Sequence, residues 1–318
     1  MILYFKTEDG VTVRGAEDQP GCWIDVVEPS AEERTWLSEE LSIVPEFVRS
    51  AFDDEETAHT DFDDDTGQSL ITIDCPFVED PGEAVDSTIT QYDTHPITFI
   101  FIPEREYFVT VNLRRNNIIA GFAGGHERNV DTSWRTRFFL QVLLRVAQNY
   151  LACLRNINRQ LREFERTLRQ SMRNRELMRM LGLEKSLIYL STSLKGLETT
   201  ATRVGGGRVI PLREDDKDLL EDAMIEIRQA IEMCTIYTNI LNGVTDTFSS
   251  IISNNLNITM RTLTIITLVL AIPTIVFSFY GMNVDGLPFI ENWYFAVALA
   301  AVLCVIVTLV LRYSRWLR

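Results

Sequence analysis

RTLTIITLVLAIPTIVFSFYGMNVD, residues 261–285, is charged only at its two ends, Arg261 and Asp285. At about 1.5 Å per helical residue, the uncharged interval is longer than the roughly 30 Å hydrocarbon core of a bilayer. The reading is a membrane-spanning helix over residues 262–280. A second uncharged run, 293–311, follows after the short connection 281–292, and the two make a helical hairpin. Arg261 precedes the first crossing, and Arg312, Arg315 and Arg318 follow the second. The connection carries Asp285 and Glu291 and no Lys or Arg. Basic residues favour the cytoplasmic side. Both ends of the chain are therefore expected in the cytoplasm, with 312–318 a basic tail, 281–292 an external loop, and the cell (inner) membrane as the location.

Upstream of this hairpin the helical pattern reaches far back. From Arg213 it meets no breaker except the tolerated Gly243 until Pro273, which lies inside the first crossing. Continued to Tyr280, such a helix is on the order of 100 Å long, with 213–261 as a stalk. Helices of that length are stabilised by neighbours, so a homo-oligomer is expected. Residues 131–212 also read as helical: Leu140, Leu144, Leu151, Leu154, Ile157, Leu161 and Leu168 recur every three or four positions. Residues 199–211, with Gly205-Gly206-Gly207, read as a turn.

Residues 1–130 are mixed and predict a compact α/β or α+β domain, with α/β the class adopted. β-rich runs at 23–27, 69–73, 97–102 and 107–111 alternate with helical pieces. Ser30 and Glu33 have the spacing of a capping box, and a short helix at 45–52 has Pro45 in its first turn. Strand order is not legible from periodicity. Within this region Asp61, Asp63 and Asp65 approach a calcium loop, but the glycine comes one residue late at Gly67 and the twelfth position is Thr72. A solvated loop is the expected form.

The net charge of −15 argues against nucleic acid and is compatible with cations as partners. Cys22, Cys75, Cys153, Cys234 and Cys304 are odd in number and form no CxxC pair, so they read as small buried hydrophobes in a reducing compartment. The opening residues, Met1 to Phe5, are too short for a signal segment. His59, His95 and His126 are scattered and read as surface or loop histidines; no catalytic constellation, ATP-binding motif or organic-cofactor fingerprint appears. An enzyme is not expected. Arg155, Arg159, Arg162, Arg166 and Arg169 are expected to pair with acidic residues within or between chains.

Along the long helix a polar row recurs about every three and a half residues: Asp246, Ser250, Ser253, Asn257, Thr264, Thr267, Thr274 and Ser278, with Met260 and Ala271 in the gaps. Facing lipid it is costly. It serves either a helix–helix contact, with each hydroxyl satisfied by its own backbone, or a water-filled pore.

Tyr280-Gly281-Met282-Asn283, closing the first of two C-terminal crossings, resembles the signature of the CorA-type magnesium transporters. Trp23-Ile24-Asp25-Val26 followed by Pro29, and Asp74-Cys75-Pro76, resemble further points of that family. The resemblance implies a pentamer with the first crossing around a pore and Tyr280, Gly281, Met282 and Asn283 as the selectivity filter. It implies Mg²⁺ uptake down the electrochemical gradient, with Co²⁺ and Ni²⁺ as further ions. It also implies gating by Mg²⁺ held between cytosolic domains. Counting back without gaps from the motif, the family's acidic stalk position falls on Asp222, with Asp86 or Asp93 as partner. The chemistry is consistent, because Mg²⁺ keeps its waters and neutral oxygens accept hydrogen bonds from them without stripping them. Asp285 and Glu291 would concentrate cations at the mouth. The alternatives are a zinc transporter with the same motif and a membrane-anchored cytosolic sensor that conducts nothing.

Overall fold

The computed structural model describes residues 1–8, 10–15, 20–79, 90–127, 129–168, 174–282 and 292–313. It divides into two compact units, Met1–Val244 and Thr245–Arg318.

The first unit is built on a seven-stranded sheet. Its strands are β1 (Ile2–Glu8), β2 (Val11–Arg14), β3 (Trp23–Val27), β4 (His59–Phe62), β5 (Ser69–Val78), β6 (Tyr92–Ile102) and β7 (Tyr107–Asn112). They lie in the order β2-β1-β3-β7-β6-β5-β4, and β3–β7 is the parallel pair. Strand β3 has no clean alternation of apolar and polar residues because both of its faces are covered. Ile24 and Val26 join Leu70, Ile100 and Val109 in a core capped by Leu37 of α1 (Ala31–Glu39) and Phe47 of α2 (Pro45–Ala51). Trp23 points the other way, 4.7 Å from the ring of Phe138 on α4 (Arg135–Leu168), while Phe99 meets Phe139 at 5.1 Å.

The same face of β3 carries a polar network. The Trp23 indole donates to Thr110 Oγ1 at 2.8 Å, and Thr110 Oγ1 and Asn112 Nδ2 donate to Asp25 Oδ1 at 2.7 and 3.0 Å. Burial pushes the Asp25 carboxyl up to about 6 against these hydrogen bonds. Trp23 and Asp25 thus lock the two parallel strands together.

Several expectations are met and others are corrected. Ser30 and Glu33 form both hydrogen bonds of the capping box. Strands β5 and β6 extend beyond the expected runs 69–73 and 97–102 and take in Pro76 and Pro96, which pair with Thr94 and Asp74 in an unbroken antiparallel register. The acidic run at 61–65 is a hairpin turn in which Asp63 accepts from the Thr66 amide and hydroxyl, and Gly67 takes φ +66°. The expected turn at 199–211 begins later, because α5 (Asn174–Gly205) stays helical through Thr199 and Gly205 and the break falls at Gly206 and Gly207. His95 is a core residue on β6, opposite Cys75, and not a surface histidine. Its imidazole is satisfied on one side by Asn116, the N-cap of α3 (Asn117–Ala123). Arg155, Arg159, Arg162 and Arg166 are exposed on α4 with no ion pair among the described residues; Arg169 lies outside them.

Helix α6 (Glu214–Tyr280) is a single 67-residue element, as the absence of breakers predicts, and its later part belongs to the second unit with α7 (Trp293–Tyr313). Both are long and apolar enough to cross a membrane. Their seam buries Val276 and Ala300, and the Tyr280 ring meets Phe295 edge-on at 6.2 Å. Pro273 has no amide hydrogen, so the Val269 carbonyl loses its helical donor. The Cys304 thiol of α7 donates to that carbonyl at 3.7 Å. Cys304 is half-buried, whereas the other four cysteines are buried.

Candidate pore face and motif

The polar row lies on the side of α6 turned away from α7. At about 100° per residue, Val269 and Tyr280 fall within roughly 40° of Val276, whereas Thr267, Thr274 and Ser278 fall roughly 160–180° around the helix from it. The exposures agree: Asn257, Met260, Thr264, Thr267, Thr274 and Ser278 are exposed and Ala271 is half-buried. Among the described residues the exposed members of the row thus lie away from the α7 seam.

The hydroxyls of the row are oriented by their own backbone. Thr264, Thr267 and Thr274 donate to the carbonyls of Met260, Leu263 and Leu270 at 2.8, 2.8 and 3.1 Å. With the hydrogen committed, each oxygen turns only lone pairs outward. Thr262 and Thr308 do the same away from the row, so what distinguishes the row is its alignment. A shallow groove of about 380 Å³ runs along it between Thr267, Ala271 and Thr274.

The motif begins at the helix end. Tyr280 is the last residue of α6, the Gly281 amide donates to Phe277 O at 2.8 Å, and the Met282 amide donates to Phe279 O at 3.4 Å. A Cβ at Gly281 would sit 3.1 Å from Phe277 O, so a side chain there would crowd the helix exit. Met282 is exposed. Asn283, Asp285, Glu291, Arg315 and Arg318 lie outside the described residues, as does the side chain of Arg312.

On the stalk part of α6, Asp222 is exposed, as are Glu214, Asp215, Asp218 and Glu221. Asp216 differs: it is buried, accepts from the Arg213 amide at 3.1 Å and lies 3.9 Å from Arg137, so it serves the helix start. Among the described residues no three His, Cys, Asp or Glu side chains are grouped to hold a metal ion. Asp93 accepts from the Thr94 amide, and Asp86 lies outside the described residues. The Pro273–Val269–Cys304 arrangement and the burial of His95 were not foreseen from the sequence. A proline four residues after a carbonyl is a legible signal that a donor is needed, but the donor's identity depends on how α7 packs.

Residues 18–314 match the model of the CorA-like Mg²⁺ transporter protein family. The chain is 24% identical over 304 residues to the cobalt/magnesium transport protein CorA of Methanocaldococcus jannaschii, covering 95% of this chain and 93% of that protein. Its fold is similar to the complete structure of the CorA magnesium transporter of M. jannaschii, with TM-score 0.80, 22% identity and coverage of 99% and 98% of the two chains. It is also similar to the ZntB cytoplasmic domain of Vibrio parahaemolyticus, with TM-score 0.62, 12% identity and coverage of 79% and 98%.

Proposed function

The chain belongs to the CorA-like Mg²⁺ transporter family, and from that premise we propose that it is a homopentameric channel importing Mg²⁺ down the electrochemical gradient, with Co²⁺ and Ni²⁺ as further ions. The observation that carries this reading is the position of the polar row, outward on α6 and opposite the α7 seam. In a ring of subunits that face closes around a water-filled path, while α7 meets lipid. Hydrated Mg²⁺ presents water hydrogens, and back-bonded hydroxyls present the lone pairs that accept them. Asn283, with the carbonyls of Gly281 and Met282, forms the filter at the outer mouth, and Asp285 and Glu291 raise the cation concentration there. The regions follow the sequence divisions: cytosolic residues 1–130, 131–212 and 213–261, crossings at 262–280 and 293–311, an external loop at 281–292 and a cytosolic tail at 312–318.

Gating is assigned to Mg²⁺ at Asp222. Among the described residues one chain offers no cluster that could hold the ion, and on this reading a further carboxylate comes from across the subunit boundary. Occupied, it would hold stalks together; empty, the carboxylates would repel. Flux into liposomes containing the purified protein tests the reading. Mg²⁺ uptake that an inside-negative potential accelerates is expected, and uptake of Zn²⁺ without Mg²⁺ would transfer the assignment to a zinc transporter.

A further inference from the structure

The first unit contains a cavity of about 760 Å³ that transport leaves unused. It lies where the ends of β5 and β6 meet α3 and the middle of α4, and its size is within the range of small-molecule sites. Phe77, Val78 and Ile118 give it an apolar wall. The α4 wall is polar, and its hydrogen-bond inventory is incomplete. Asn149 Nδ2 donates to Pro76 O at 3.2 Å, leaving Oδ1 as an acceptor. Gln148 Oε1 accepts from Arg145 at 3.4 Å, leaving Nε2 as a donor. An adjacent donor and acceptor suit the edge of a flat heteroaromatic ring.

His95 also lines the cavity. Asn116 Oδ1 already accepts from the amides of Ile118 and Ile119, so its Nδ2 must donate to His95 Nε2 at 3.0 Å. The neutral imidazole then carries its proton on Nδ1, which is buried and has no partner among the described residues. At the mouth, Arg145 is paired with Glu127 at 3.2 Å, whereas Arg115 is exposed with no ion pair among the described residues. An uncommitted guanidinium beside a cavity offers a bidentate partner to an anionic group, against the net negative charge of the chain.

We propose that this cavity binds a nucleoside monophosphate, the base lying on the apolar wall with its edge on Gln148 and Asn149 and the phosphate at Arg115. The test uses the full chain in detergent, free of divalent cations, with AMP, adenosine and inorganic phosphate as probes in calorimetric and thermal-shift titrations. Saturable AMP binding is expected, with adenosine and phosphate each weaker by about tenfold or more, since a charge-assisted hydrogen bond carries about that much. Arg115→Glu should cost AMP about tenfold and leave adenosine unchanged. Ala152→Trp fills the cavity from an exposed position on α4, and should abolish binding of both nucleoside probes without lowering the melting temperature of the free protein. No saturable binding of AMP, equal affinity for AMP and adenosine, or AMP binding that survives Ala152→Trp overturns the proposal.

Discussion

The sheet threonines of the first unit and the α6 threonines of the second are treated in opposite ways. In the first unit Thr72, Thr98 and Thr110 are buried and bond to other side chains: Thr72 to Thr98 at 3.1 Å, and Thr110 to Asp25. In the second, Thr264, Thr267 and Thr274 are exposed and donate only to their own helix. The apolar residues are inverted in the same sense. Trp23, Phe99 and Phe138 are inside, whereas Leu263, Leu270 and Phe277 are outside. A sheet facing water must gather its apolar groups and pair the polar ones it buries. A helix in hydrocarbon leaves apolar groups outward and keeps its polar groups satisfied internally. The inversion of the apolar residues shows that one chain is written for two solvents; the α6 threonines meet the second rule by bonding their own backbone, and their alignment on one face is what the proposed water path would use.

The largest effect is expected at the motif. Asn283→Ala should abolish selective Mg²⁺ flux in liposomes while expression and oligomer size stay unchanged; flux with an unaltered ion-competition profile would refute the filter. In the first unit Trp23→Ala removes the buried ring that links β3 to α4 and leaves Thr110 Oγ1 without its donor. A loss of about 3–5 kcal/mol in urea unfolding is expected, and a loss under about 1 kcal/mol would mean that the face collapses to fill the space.

Asp25 sharpens the contrast through pH. Its folded carboxyl sits near 6, above the ordinary value. The neutral form favours the fold, so its contribution is complete below about pH 4 and is lost as the pH rises through 6, a change of roughly 2–3 kcal/mol. Asn at this position keeps an oxygen for Thr110 and Asn112 and cannot ionise. Asp25→Asn should therefore gain stability over wild type between pH 4 and 7, read from urea midpoints by tryptophan fluorescence. A constant difference across that range would contradict the assignment. The smallest effect is expected at Thr274→Val, which removes one of several hydroxyls along the row. It should slow Mg²⁺ flux several-fold, and an unchanged rate would return the row to a contact between helices of different subunits.

Much of this was legible in the sequence where the signal is local. The uncharged runs, the capping spacing of Ser30 and Glu33, and the breakerless approach to Tyr280 each depend on neighbours a few residues away, and α1, α6 and α7 follow them. The parallel pairing of β3 with β7 joins residues more than eighty positions apart, and no periodicity encodes it. His95 read as ordinary surface because its burial depends on Asn116 and Phe77, neither of which marks it in sequence. At the candidate pore, the row was visible as a spacing. That it points away from α7 required the seam of Val276 and Ala300.

Water access along α6 tests the central claim most directly. In a Cys304→Ala background, where the remaining native thiols are buried, a cysteine at Thr274 and one at Val305, exposed on α7, are each treated with a membrane-impermeant thiol reagent during Mg²⁺ flux. The account predicts that the cysteine at 274 reacts and blocks flux while the one at 305 stays unreacted and conducting. Reaction at 305 with protection at 274 would place the polar row outside any water path and contradict it.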